Sequence, residues 1–414
     1  MPGWKRIQRS KETEDLLTFK TKFEGRSTTI TCFESTTNYT LVPRYYGSNI
    51  YTFTEGEVAS FKFVKTLKDE QLSAYKVIEP ALREKHGGSI VLPCGFGKTV
   101  LSLFIAAQIG VKTAILVDSG ALAHQWVEEV SIFTNVIATV FKGNKRDTDS
   151  DIVIFMVQSL NSTEIHPEEA KKFGLVIADE CDIFSANRFN KSIAQFPGKY
   201  RIGLTATEHR SDGLSNIFKW HLGETIFRKE EWDIEPVILK VNTGIHLKIS
   251  DKTPKAIATN IQTNNTARNL LIHKIIVDCL ASGKNVLVVS DRKNQLRELS
   301  RIVNTDSFMF IEDSLRDDIP VVPLIFTTYT KCKRGMSINK LDILIMASAR
   351  SGSTEQVCGR IVRKDHGYSA FVVDLVDANR VCKDWWCMRK RHYLKKDWKV
   401  YEYDPKSRTK KKIN

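Results

Sequence analysis

Short apolar runs alternate with amphipathic stretches along most of the chain. The runs that predict buried strands are residues 112–117, 152–157, 175–178 and 201–204 in the first half, and residues 237–241, 285–289, 324–327, 343–346 and 370–373 in the second. Stretches with helical spacing of apolar residues separate them, such as 122–133, 269–280 and 293–302. Strands that alternate with helices form parallel sheets with helices on both faces. The pattern therefore predicts an α/β protein with one such sheet in each half.

The N-terminal region has a different texture. Thr, Ser, Tyr and Phe alternate in short runs divided by turn signals, which predicts a small antiparallel β-rich domain over residues 1–58. We predict two α/β domains over residues 59–235 and 236–380, and a basic, aromatic-rich tail over residues 381–414. The length of 414 residues fits two α/β domains plus such additions.

The net charge of +14 suggests a polyanionic partner. Residues 383–414 contribute +8 of it, from twelve Lys and Arg against four Asp and Glu. A solvated, charged terminus is the alternative interpretation. Aromatic residues interleave with these charges and either stack on bases or pack locally. They are Trp385, Trp386, Tyr393, Trp398, Tyr401 and Tyr403.

Targeting signals are missing from the sequence. No apolar stretch reaches the roughly 18–20 residues of a membrane span, and the first residues lack the apolar core of a signal peptide. The eight cysteines have no zinc-type spacing, so we interpret them as reduced, mostly buried thiols. We expect an intracellular protein of the cytoplasm, nucleus or a virion, with no membrane partner.

Residues 89–106 carry the first candidate chemistry. An apolar run leads into a turn with Gly95 and Gly97, and Lys98 and Thr99 open an apolar helix. Glycines let backbone N–H groups turn inward, and the start of a helix attracts phosphate. We predict that Lys98 reaches the β- and γ-phosphates and that Thr99 ligates Mg²⁺. The full phosphate-loop pattern has glycine where this chain has Leu92.

Carboxylates and hydroxyls follow the strands at 175–178 and 201–204. Asp179 is predicted to hold Mg²⁺, and Glu180 to orient and deprotonate the attacking water. The next strand ends in Thr205, Ala206 and Thr207. The hydroxyls of the two threonines are predicted to hydrogen-bond carboxylates near Asp179 and to relay the state of those carboxylates.

A third cluster lies in the second half. Gln356, Arg360 and Arg363 are four and three residues apart, so on a helix they share one face. Two guanidinium groups and an amide suit a γ-phosphate and its attacking water. The alternative is a basic, solvated helix face.

These segments, GFGKT, DECD, LTAT and QxxGRxxR, occur in the order and with the spacing of superfamily 2 helicases, which the chain resembles over about residues 65–380. Residues 200–214, with FKWHLG after them, narrow the resemblance to the DEXH DNA helicases that include XPB, the phage UvsW helicase and helicases of large DNA viruses. The leader LPCGFGKT, with its leucine, is typical of the viral group.

The resemblance implies two RecA-like domains that share one ATP and Mg²⁺, so hydrolysis requires both. It assigns the nucleotide to Gln71, which reads adenine, and to Gly95, Phe96, Gly97, Lys98 and Thr99. It assigns nucleic-acid contacts to Ser119, His124, Gln125, Trp126, Arg292 and Thr328. Departures from the family are Glu208, where proline is usual, and Ser337, where aspartate is common.

We therefore expect an ATP-dependent DNA helicase or translocase that moves 3′→5′ in transcription, recombination or repair. We expect a monomer that binds nucleic acid, with transcription or replication proteins as possible partners. The alternatives are an RNA-directed ATPase, a nucleic-acid-binding clamp with a degenerate ATPase, and translocation or annealing without unwinding.

Overall fold

Two large β-sheets organise the chain, one in unit Met1–Glu231 and one in unit Trp232–Asn414. The computed structural model describes residues 3–23, 26–47, 51–93, 95–143, 147–181, 184, 186–206, 214–229, 235–311, 322–333, 341–349, 355–358, 370–404, 407 and 409–413. The predicted fold class, two parallel-sheet α/β domains with small N-terminal sheets, is confirmed.

The described strands, in chain order, are β1 (Lys5–Gln8), β2 (Thr18–Phe23), β3 (Arg26–Thr31), β4 (Glu34–Ser35), β5 (Tyr39–Val42), β6 (Gly87–Val91), β7 (Thr113–Val117), β8 (Thr139–Phe141), β9 (Ile152–Met156), β10 (Leu175–Ala178), β11 (Tyr200–Thr205), β12 (Thr225–Arg228), β13 (Val237–Asn242), β14 (Val286–Ser290), β15 (Ser307–Phe310), β16 (Leu324–Thr328), β17 (Ile343–Met346), β18 (Phe371–Val376), β19 (Val400–Asp404) and β20 (Thr409–Lys412).

The described helices are α1 (Lys11–Leu16), α2 (Asp69–Lys85), α3 (Lys98–Ile109), α4 (Gly120–Phe133), α5 (Val157–Ser162), α6 (Pro167–Lys171), α7 (Ala186–Ile193), α8 (Ser215–Leu222), α9 (Lys255–Thr263), α10 (Thr266–Ala281), α11 (Lys293–Val303), α12 (Tyr329–Lys333), α13 (Glu355–Cys358) and α14 (Arg380–Lys395). None of these described helices combines the length and the apolar character needed to cross a membrane.

The first sheet has the strand order β12-β6-β11-β10-β7-β9-β8, and all of its neighbouring pairs are parallel. Successive residues of a strand point to opposite faces, and here both faces are buried. In β7, Ile115 lies in one apolar cluster and Leu116 in the other. The carboxyl ends of β6, β11 and β10 are adjacent, which brings the residues that follow them to one edge of the sheet.

The N-terminal strands pack against the rest of this first unit. A three-stranded sheet (β1-β5-β4) and the β2–β3 hairpin are antiparallel, as the alternating pattern predicts. Leu17 and Val42 are fully buried in the same apolar cluster as Phe155 of β9. The buried Arg44 guanidinium donates to three main-chain carbonyls, those of residues 197–199, so this segment is fixed to the loop before β11.

The second sheet has the order β15-β16-β14-β17-β18-β13-β19-β20. Its pairs are parallel except β19–β20, which is antiparallel. The basic tail therefore supplies two strands of this sheet. Trp386, Tyr393 and Trp398 are buried in its core, so these three tail aromatics pack locally instead of offering faces to bases.

Candidate active site

The loop between β6 and α3 has the backbone of an anion-binding turn. Gly95 and Gly97 have φ of +87° and +86°, in the left-handed region that side chains with a Cβ disfavour. Gly97 precedes the first residue of α3, and no described side chain caps this helix end. The first N–H groups of a helix lack partners within the helix, and they carry its positive dipole end. The turn can therefore present several N–H groups to a phosphate.

Lys98 and Thr99 stand at the start of α3, as predicted. The Lys98 ammonium donates to the carbonyl of Leu92 over 3.2 Å. Thr99 is buried, with 8% of its surface exposed. Leu92 is fully buried in the apolar cluster beneath the loop, and its N–H donates to the Thr205 carbonyl. The departure from glycine at this position therefore fills the core without disturbing the turn.

Gln71 reaches the loop from α2. Its side chain is only 3% exposed; Nε2 donates to the Phe96 carbonyl over 3.0 Å, and Oε1 accepts from the Lys68 N–H. Phe96 itself is buried, and the Lys229 ammonium lies 5.1 Å from its ring centroid. The structure thus shows Gln71 and Phe96 bonded to each other, whereas contact of either with adenine stays a prediction.

Asp179 and Glu180 follow β10 directly. Asp179 is 5% exposed, and its Oδ1 accepts the Glu180 N–H over 3.0 Å. Glu180 has a φ of +47°, a left-handed backbone that costs a non-glycine residue about 1–3 kcal/mol. Such strain persists only where the surroundings impose it, and it concentrates at functional sites. The half-buried Glu180 is thus held in an unusual backbone conformation directly after β10, and its role as a base stays a prediction.

The end of β11 lies between the residues that follow β6 and those that follow β10. Thr205 is buried there, and β11 pairs with β6 on one side and with β10 on the other. Ala206 follows it and is half-buried. Thr207 and Glu208 lie outside the described residues.

A carboxylate that the sequence analysis missed joins this site from α4. Glu129 accepts a hydrogen bond from Gln125 over 2.8 Å and interacts with the Thr99 hydroxyl. Burial raises the pKa of the Glu129 carboxyl; the hydrogen bond from Gln125 opposes this shift, and the charge of Asp179 adds to it. Gln125 and Glu129 are four residues apart on a predicted helix, and this spacing could have indicated their contact from the sequence.

The nucleic-acid contact predicted for Trp126 is wrong in this structure. Trp126 is fully buried, and its Nε1 donates to Asp179 Oδ2 over 2.8 Å. The buried stripe of α4 includes Leu122, Ala123, Trp126 and Val130, which share one face of the helix. A side chain on that face has no surface to offer a polynucleotide.

The other predicted contacts of the first unit are accessible. Ser119 caps α4 by accepting the Leu122 N–H over 3.2 Å, and His124 is exposed in the second turn of the helix. Gln125 is half-buried and bonded to Glu129. Contact of these residues with nucleic acid stays a prediction.

In the second unit, Arg292 and Thr328 serve local structure. The half-buried Arg292 guanidinium donates to the Asn260 side chain and to the carbonyls of Ala256 and Asp291. The Thr328 hydroxyl accepts the Lys331 N–H at the start of α12. These bonds do not test whether Arg292 or Thr328 contacts nucleic acid, so both contacts stay predictions.

The arginine cluster lies largely beyond what the structure describes. Gln356 is on α13, as predicted for this motif, but its side chain is outside the described part. Arg360, Arg363 and Ser337 lie outside the described residues. Their assigned roles stay predictions from the resemblance.

The residues present fit a magnesium–nucleotide complex. A hydroxyl and a carboxylate, Thr99 and Asp179, supply the hard oxygen ligands that Mg²⁺ prefers. The uncapped start of α3 and Lys98 supply N–H donors and a positive charge for phosphate oxygens. Both sets follow strands of one parallel sheet, β6 and β10 with β11 between them, at the carboxyl ends where ligands of such sheets bind.

Comparison with known proteins finds helicases among the proteins that this chain is similar to. Residues 64–210 match the family described as "Type III restriction enzyme, res subunit". The chain is 26% identical over 398 residues to "Putative ATP-dependent RNA helicase L396" of Acanthamoeba polyphaga mimivirus, covering 88% of this chain and 76% of that protein. It is 26% identical over 379 residues to "Putative helicase 161L" of Invertebrate iridescent virus 6, covering 83% of this chain and 84% of that protein.

A shorter match has higher identity. Over 163 residues the chain is 32% identical to "DNA 3'-5' translocase XPB2" of Sulfurisphaera tokodaii, covering 39% of this chain and 36% of that protein. The fold is similar to that of S. cerevisiae Dbp5 bound to RNA and ADP BeF3, with a TM-score of 0.56 at 14% identity over 78% of this chain and 91% of that one. Residues 64–210 thus carry the matched family domain, and over most of its length the chain is similar to viral helicases.

Proposed function

We propose that this helicase hydrolyses ATP with Mg²⁺ to move along DNA and separate its strands. The observation that carries the proposal is the shared edge of the first sheet. Lys98 and Thr99 follow β6, Asp179 and Glu180 follow β10, and β11 lies between the two strands. This arrangement has a phosphate cradle, two oxygen ligands for a cation and a base for water.

Each residue then has a defined task. The N–H groups of the loop and Lys98 bind the phosphates, and Thr99 and Asp179 hold the cation. Mg²⁺ bound there neutralises charge that develops on the phosphate oxygens. Glu180 orients water and takes its proton. We assign Gln356, Arg360 and Arg363 to the γ-phosphate on the resemblance alone.

DNA is the proposed substrate, with 3′→5′ movement. The support is the match to a relative named a DNA 3′–5′ translocase and the residues 200–214 that resemble the DEXH DNA helicases. RNA is the second candidate, because the relative that covers 88% of the chain is named an RNA helicase. Contacts with either polymer are proposed to be mainly to phosphate, and hence weakened by salt.

Steady-state ATPase rates with single-stranded, forked and duplex DNA, and with RNA of the same sequences, test the proposal. We expect stimulation by polynucleotide, greater with DNA, and displacement of a strand from a 3′-tailed duplex. Greater stimulation by RNA would favour the second candidate. A rate that no polynucleotide changes would refute both.

The variant Glu180→Gln separates an ATP-driven enzyme from a clamp. We expect it to bind ATP, because the phosphate loop is intact, and to lose turnover and strand displacement, because its amide is no base. Glu164→Gln, which makes the same change at an exposed carboxylate, is the matched control. The clamp alternative predicts instead that Glu180→Gln leaves the biological function of the protein intact.

A further inference from the structure

Helix α4 contacts a predicted magnesium ligand. Trp126 of this helix donates from Nε1 to Asp179 Oδ2 over 2.8 Å. The bond joins α4 to the residue that follows β10.

The Trp126 contact fixes one oxygen of the carboxylate. An indole N–H only donates, so the bonded atom of Asp179 must be an acceptor. Trp126 is fully buried, and the apolar packing of its ring sets the direction of the N–H. Asp179 Oδ1 accepts the Glu180 N–H, so the carboxylate is held from two sides. Groups that orient a ligand in this way tune the affinity of a site for its cation.

We propose that Trp126 is a positioning residue for Mg²⁺, which sets Asp179 in the orientation that the cation requires. This inference rests on the proposed function, in which Asp179 takes up magnesium with ATP. Trp126 acts through Asp179, so its effect is on the magnesium concentration that nucleotide binding requires, and it is measurable without turnover.

The test is magnesium-dependent binding of a fluorescent, non-hydrolysable ATP analogue to the full chain. Trp126→Phe keeps an aromatic ring and removes the N–H. We expect it to raise the half-saturating Mg²⁺ concentration about tenfold, the usual effect of losing a group that orients a ligand. Binding of the analogue in EDTA should match that of the unmodified protein.

Glu128→Gln is the control, because Glu128 is exposed on the same helix. It should leave the magnesium requirement unchanged. The same half-saturating concentration in Trp126→Phe and the unmodified protein would overturn the inference and leave the proposed function standing. If the unmodified protein bound no analogue at any magnesium concentration, the proposed function itself would fail.

Discussion

Gln71 Nε2 donates to the main-chain carbonyl of Phe96 over 3.0 Å. This bond joins the first turn of α2 to the phosphate loop, and the other end of the same amide accepts the Lys68 N–H. Because the amide lies within the protein, any change of loop conformation must be accommodated by α2. The conformation of the phosphate loop is therefore coupled to the position of α2, a helix that precedes the loop in sequence.

Gly97→Ala should disrupt this connection. A Cβ at residue 97 would lie 2.4 Å from Gln71 Nε2, and the φ of +86° disfavours any side chain. A left-handed backbone alone costs about 1–3 kcal/mol, and the clash adds to it. We expect ATP affinity, measured by fluorescence titration, to fall at least about tenfold.

Gly47→Ala is the control for that substitution. Its φ is +75°, and a Cβ there meets no described atom within 4 Å. It therefore carries the backbone strain without a clash at the site, and ATP affinity should not change. Equal losses in both variants would contradict the role given to the Gln71 contact.

The sequence predicted most of the strands and where the first site forms. Leu175–Ala178 and Ile343–Met346 match their predicted bounds, because β-branched and apolar residues with both faces buried leave one interpretation. The helix predicted at 122–133 begins two residues earlier, at Gly120, because Ser119 caps it. Turn and cap chemistry sets such ends, and apolar periodicity does not report it.

The site itself was predicted only in part. Lys98, Thr99, Asp179 and Glu180 follow β6 and β10, two parallel strands whose carboxyl ends lie at one side of the same sheet with β11 between them. Trp126 was assigned to the wrong environment because a tryptophan between polar residues suits either a surface or a core. Its contact with Asp179 joins positions 53 residues apart, which no local pattern indicates.

Folding of the first unit should weaken below about pH 6.5. His221 is fully buried, and its Nε2 lies 2.6 Å from Asn190 Oδ1, while its Nδ1 has no partner among the described residues. Burial holds the pKa of His221 well below its ordinary value, and the charges of Arg201 and Arg44 add to this. The unfolded chain binds this proton near pH 6.5, so stability is full above that pH and falls below it.

The expected loss is up to about 1.4 kcal/mol per pH unit, measured as the free energy of unfolding in urea between pH 8 and 5.5. His221→Gln, which keeps a donor for Asn190, should flatten this slope. His166→Gln, at an exposed histidine, should not. If the free energy of unfolding fell with pH along the same slope in the protein and in its His221→Gln variant, this explanation would be ruled out.

A buried ion pair should be critical for the second unit. Arg389 donates to both oxygens of Asp374 over 2.8 and 2.7 Å, and Tyr393 donates to Oδ2 over 3.0 Å. Arg389→Met leaves a buried, uncompensated carboxylate, which costs about 3–5 kcal/mol in the free energy of unfolding. Arg380→Met, which removes the exposed partner of Asp384 on the same helix, should change the urea midpoint little.

The thiols should differ sharply in reactivity towards iodoacetamide at pH 8. Burial raises the pKa of Cys32 to about 12, and of Cys279 and Cys382 to about 11, so little reactive thiolate is present. Cys387, on the same helix as Cys382, is exposed. Mass spectrometry of peptides from the folded protein should show Cys387 alkylated well before these three, and equal rates would contradict the burial.

Strand β20 forms an outer margin of the second sheet, and Lys410, Lys411 and Lys412 are exposed along it. An open margin displays unpaired main-chain groups to which a strand of another molecule can add. Consecutive lysines oppose such addition, because a second copy would bring the same charges alongside. Among the described residues, this part of the positive tail should therefore disfavour strand addition between two copies of the chain.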